Sequence, residues 1–133
     1  MGDDIIGLLR VIKPRYPEAG QRAALAADGV NARCVLNMAD TTREDILRLT
    51  RPGTVIAILH LHLLADPKNK HKRGGMRADL WKALDAIEKR GGVIWELYTG
   101  LKTDTKAGRD TMTRGAIETL ARGRHKTERS DKR

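Results

Sequence analysis

A chain of 133 residues, 40% of them hydrophobic, is one domain's worth and can bury a core without covalent staples. A single cysteine, Cys34, excludes an internal disulfide, and with two Trp, two Tyr and no Phe the chain is a poor candidate for reading single strands by stacking bases on aromatics, backbone phosphate contact being the more natural mode. The net charge of +9 lies wholly in residues 68–133, where eighteen Lys and Arg face nine acids, while residues 1–67 balance eight against eight.

That asymmetry points the second half of the chain at an anionic partner, nucleic acid first, although charge runs also serve as solvated faces. The start, Met1-Gly2-Asp3-Asp4, is acidic where a signal peptide is basic. No apolar run approaches the roughly 20 residues of a membrane span, so a cytoplasmic protein without membrane contact is expected. Cys34 reads as a small core residue in a reducing compartment.

Residues 5–11 (IIGLLRV) form a first strand, apolar except for Arg10, and run into a loop held open by Pro14 and Pro17. Residues 18–28 read as a helix with a narrow face of Ala23, Ala24, Leu25 and Ala27, capped by Gly29. Residues 34–36 make a second short strand. Asp40, Thr41 and Thr42 supply capping chemistry for a helix over 43–49 whose Ile46, Leu47 and Leu49 face inward. Residues 53–67 (GTVIAILHLHLLADP) hold the longest apolar run, broken only by His60 and His62, which fits a central strand covered on both faces.

Residues 66–75 are a polar loop with Lys68, Lys70, Lys72 and Arg73, closed by Gly74 and Gly75. A helix over 76–90 carries Leu80, Ala83, Leu84 and Ile87 at helical spacing, and residues 93–97 (VIWEL) are a further strand. The last helix, 107–121, carries a stripe of Met112, Ala116, Ile117 and Leu120. Residues 122–133, with Arg122, Arg124 and Lys126 among six cations, lack apolar periodicity and read as a disordered basic tail behind a domain of residues 1–121. Strands alternating with helices predict an α/β fold, a mostly parallel sheet of about four strands with helices on both faces.

In this order the pieces resemble the catalytic domain of the resolvase/invertase family of serine site-specific recombinases. Leu8-Leu9-Arg10-Val11-Ile12 stands where the family has Tyr-x-Arg-Val-Ser, and Gln21, Leu25 and Gly29 match a Gln-x-x-x-Leu-x-x-x-Gly helix. Residues 53–67 resemble the family's Gly-Asp-x-Leu-Val-Val-x-x-Leu-Asp-Arg-Leu-x-Arg-Ser strand, with Leu61 and Leu64 at its leucine places. Gly92-Val93 and the turn from Gly100 to Arg109 follow the family's Gly-Ile-Asp-Thr-x-Thr-x-x-Gly-Arg pattern before its long helix.

The resemblance implies DNA cleavage by serine attack on phosphate, with arginines stabilising the transferring phosphoryl group. Here Ile12 stands in the serine place, His62 and Leu63 replace an Asp-Arg pair, Asp66 replaces an Arg, and Pro67 replaces a Ser. Ser130 is the chain's one serine. The expectation is therefore a catalytically degenerate domain with no catalytic residue, metal or cofactor, acting as a DNA-associated accessory or regulator of a mobile element or phage. Phosphate contact is expected from Arg10, Arg43, Lys68, Lys70, Lys72, Arg73, Arg109, Arg122, Arg124 and Lys126. Duplex DNA held through its backbone phosphates is the expected partner, because no helix-turn-helix module follows the last helix within this sequence.

Three points stay open at this stage. Arg10 on an apolar strand serves either a phosphate or a structural pair with an acid such as Asp40. The stripe Met112, Ala116, Ile117 and Leu120 is either a homodimer seam, as the resemblance implies, or buried against the chain's own sheet. His60 and His62, two residues apart on a strand, are too few for a zinc site and read as histidines satisfied by hydrogen bonds. The alternatives to a DNA accessory are a protein-interaction module on the same fold and an enzyme rebuilt around Arg10, Arg43, His60 and His62.

Overall fold

The computed structural model describes the backbone of residues 5–131 and the side chains through Arg122. Four strands, β1 (Ile5–Leu9), β2 (Val35–Asn37), β3 (Val55–Ile58) and β4 (Val93–Glu96), form one all-parallel sheet in the order β2-β1-β3-β4. The helices α1 (Glu18–Ala27), α2 (Arg43–Leu49), α3 (Gly75–Lys89) and α4 (Lys106–Asp131) connect and cover it. The α/β architecture matches the expectation, and α4 runs beyond Ala121 where a tail was expected. Among the described residues no helix is long and apolar enough to cross a membrane.

The strand residues alternate between two cores because successive side chains of a strand point to opposite faces. Leu8, Ile56, Ile58 and Ile94 join Leu80, Leu84 and Ile87 of α3 and Met112 and Ala116 of α4 in the larger one. Ala57 packs with Leu25 and Val30 in the smaller one, under α1. Gly7 is what lets α1 settle there: a Cβ on it would stand 3.0 Å from Val30 and 3.2 Å from Leu25.

Local chemistry sets the boundaries. Thr42 and Asp45 exchange hydrogen bonds in a capping box that starts α2. Gly29, with φ of 87°, turns the chain out of α1. The α1 face is narrower than expected: Gln21 and Leu25 are buried, Ala24 is half-buried, and Ala23 and Ala27 are exposed. Cys34 is exposed rather than in the core, because it precedes the edge strand β2. Leu49, expected to face inward, is also exposed at the end of its helix, while Trp81 and Trp95 are half-buried at the margins of the two cores.

The largest departure is in the central strand, which ends at Ile58. Leu8 of β1 and Glu96 of β4, both opposite Ile58, are the last residues paired with it. Residues Leu61–Leu64 then coil into a tight 3-10 turn, fully within the core. A buried turn must find partners for its backbone polar groups. The Leu61 N–H donates to the Glu96 carboxylate at 2.7 Å, and the Leu63 carbonyl accepts from Arg10 Nε at 2.7 Å. The apolar run is buried as expected, but its second half is a turn and not a strand.

Candidate functional site at the carboxyl edge of the sheet

All four strands point the same way, so the loops that follow them gather at one edge, where ligands of open α/β sheets are bound. Beyond β1 and β2 lies a cleft of about 400 Å³ lined in part by Arg10, Met38, Asp40, Thr42, Arg43, Asp66, Lys68 and Asn69. Arg10 and Arg43 thus converge with the segment after Leu61, while His60 and His62 do not line this cleft.

Both arginines are already engaged. Arg10 reaches the Leu63 carbonyl and the Met38 sulfur, at 3.1 Å, and its guanidinium stands 3.7 Å from the Asp66 carboxylate. Its structural acid is therefore Asp66; Asp40 is an exposed member of the cleft wall. Burial weakens the hold of Arg10 on its proton, and Asp66 and Asp79 work against that effect. Arg43 donates to Asp79 at 2.9 Å.

Asp79 was not singled out from the sequence, yet it organises this region. One of its oxygens accepts from Arg43 and from the Asp66 N–H at 2.7 Å, and the other from the Asn69 amide at 2.8 Å. Burial raises the Asp79 carboxyl, but these hydrogen bonds and the Arg43 charge hold it below the ordinary carboxylate value. The Asp66 side chain in turn caps the 3-10 turn Pro67–Asn69. The polar loop is thus anchored at its start by these turns, and it presents Lys68, Lys70, Lys72 and Arg73 as exposed cations. Gly74 and Gly75, both at positive φ, lead it into α3.

The other expected phosphate ligands are disposed differently. Arg109 donates three hydrogen bonds to Glu88, at 2.8 to 3.0 Å, and so ties α4 to α3. Arg122 is exposed, and the side chains of Arg124 and Lys126 lie outside the described residues. On the supposed dimer seam, Met112 and Ala116 are buried in the chain's own core and Ile117 and Leu120 pack at its margin, so the stripe is used internally.

Two residues of the family-like pattern have structural duties. Gln21 is buried and spans the β1–α1 loop, accepting from the Arg10 N–H and donating to the carbonyls of Arg10 and Tyr16. Gly108 lies so close to the Lys102 carbonyl that a side chain could not fit without moving the backbone. Ile12, in the serine place, is half-buried and pairs its backbone with Tyr16.

Beyond β1, β3 and β4 a second feature forms. The ring of Tyr16 meets those of His60 and His62 at 5.2 and 5.1 Å, His60 and His62 lie 5.4 Å apart, and His60 contacts Tyr98 at 4.6 Å. Burial, the neighbouring His60 and the charge of Arg15 push the His62 imidazole down to about 4. Burial also lowers His60, against the pull of Glu96. Nothing in sequence spacing joins these four rings, which come from the segments that follow β1, β3 and β4. In comparisons with protein-family models and with curated proteins, no family model and no curated protein matches this chain.

Proposed function

We propose that the chain is a catalytically degenerate serine-recombinase-like domain that associates with DNA as an accessory or regulatory protein. The observation that carries this reading is how its cations are used. Arg10 and Arg43, the two arginines of the cleft, are each paired with a carboxylate, and Ile12 offers no nucleophile. The four cations of residues 68–73 instead stand exposed on an anchored loop at the same edge. Cations spent on internal carboxylates hold a fold together, whereas exposed clustered ones attract backbone phosphate without reading sequence. The parallel sheet, the turn at Gly100 and the long α4 support this reading.

The test is a gel-shift series with duplex DNA across salt concentrations. Affinity is expected to fall steeply with salt, and changing Lys68, Lys70, Lys72 and Arg73 together to Ala is expected to flatten the logarithmic slope by up to about 3 to 4. Binding that is absent at low salt, or indifferent to salt, refutes the reading. A plasmid-relaxation assay is expected to yield no cleavage and no covalent protein–DNA product.

A further inference from the structure

We propose that the rings beyond β1, β3 and β4, with Tyr98 outermost, form a stacking platform for an unpaired base of single-stranded DNA whose phosphates are met by Lys13 and Arg15. This rests on the nucleic-acid reading above and adds a second, separate mode of contact to it.

The rings grade from buried to open: His62 is 7% exposed, His60 and Tyr16 are half-buried, and Tyr98 is 73% exposed. Tyr98 is not placed there by burial. Its backbone N–H donates to the Leu59 carbonyl at 3.0 Å and that of Leu97 to Ile58 at 2.9 Å, so the main chain beneath the ring continues the ordered edge of the sheet. His60, inclined 40° to the ring, supports it from within and is itself wedged by Tyr16 and His62. An exposed ring on a fixed base loses little freedom when a planar ligand stacks on it.

Charge selects the ligand. Lys13 and Arg15 are exposed on the β1–α1 loop that carries Tyr16, and the charge of Arg15 is felt at the His62 ring. Glu96, the acid that acts on His60, is buried and committed to the Leu61 N–H and the Thr99 hydroxyl. An exposed aromatic face, on a ring cluster whose Tyr16 shares a loop with the exposed cations Lys13 and Arg15, suits a base with its flanking phosphates. Every base has a π-face, so the platform tolerates any sequence. A duplex keeps its bases stacked internally and offers none to it.

The full chain is titrated at low salt with a fluorescent oligothymidylate of about twelve nucleotides, with an abasic strand of the same length and with duplex DNA. Tyr98→Ala is expected to weaken oligothymidylate binding about tenfold or more, Tyr98→Leu to do the same, and Tyr98→Phe to restore it. The abasic strand should bind wild type about as weakly as oligothymidylate binds Tyr98→Ala, and duplex affinity should not respond to Tyr98. Changing Lys68, Lys70, Lys72 and Arg73 to Ala should remove duplex affinity yet leave the Tyr98-dependent difference intact, which separates failure of the basic loop from failure of the platform. Circular dichroism confirms that variants at this exposed position are folded. The proposal is overturned if oligothymidylate does not bind, if Tyr98→Ala binds it like wild type, or if the abasic strand binds equally well.

Discussion

Replacing Asp79 by alanine is expected to destabilise the protein by about 3 kcal/mol, the largest single-residue effect in the cleft. The carboxylate accepts three hydrogen bonds, from Arg43, the Asp66 N–H and the Asn69 amide. Its removal strips partners from a backbone N–H and a cation at once, and losing one member of a buried pair costs more than the pair contributes net. Arg43 is 35% exposed, so water takes up part of its lost pairing, which keeps the expected cost at the low end of the buried-pair range.

The damage should be local before it is global. Without Asp79, the Asp66 N–H and the Asn69 side-chain amide lose their acceptor, and the turn Pro67–Asn69 that presents Lys68 and Lys70 loosens. Urea unfolding measures the stability, and hydrogen exchange at the Asp66 amide should accelerate in the variant. Asp79→Asn, which keeps an acceptor and loses the charge, should fall between wild type and Asp79→Ala. A loss under about 1 kcal/mol with unchanged exchange at Asp66 would remove Asp79 from the centre of the site.

Asp79 was legible only in part. It lies one turn before Ala83 on the face that also carries Leu80 and Ile87, and an acid on an apolar helix face needs a partner. Nothing local names that partner, because Arg43 is 36 residues away and arrives through the folding of the sheet. Glu96 is similar: alternation places it on the same inward face as Ile94, but its acceptor duty toward Leu61 depends on where β3 stops. Helix starts, and the ends of α1, α2 and α3, were readable because capping is local, as Thr42 with Asp45 and Gly29 show, whereas α4 runs ten residues past its expected end. The end of β3 was not readable, because an apolar run fits a buried strand and a buried turn equally well. The ring cluster needed the parallel topology to bring Tyr16, His60, His62 and Tyr98 to one edge.

Acidification from pH 6.5 to pH 4 is expected to cost the fold up to about 3 kcal/mol through His62 alone. In the unfolded chain this imidazole titrates at its ordinary value of 6.5, whereas in the fold burial, His60 and Arg15 push it down to about 4. Between those values the unfolded chain takes up a proton that the folded one refuses, so stability falls as the pH falls. Below about 4 both forms are protonated and the slope from His62 ends. His60, also lowered by burial, adds to the loss in the same direction. Asp79 acts in a different window: its carboxyl is lowered from 3.8, so its contribution is present above that value and is lost as the pH falls through the folded value. Domains with total stabilities of about 5 to 15 kcal/mol feel a loss of this size strongly. Urea midpoints measured across this range should fall steadily for wild type and stay much flatter for His62→Phe, which keeps a ring against Tyr16 and has nothing to titrate. The comparison uses the slope with pH, so any packing cost of the larger ring cancels. Equal slopes in the two proteins would mean that His62 takes up its proton as readily in the fold as in the unfolded chain, and the buried neutral imidazole beneath the ring platform would have to be abandoned.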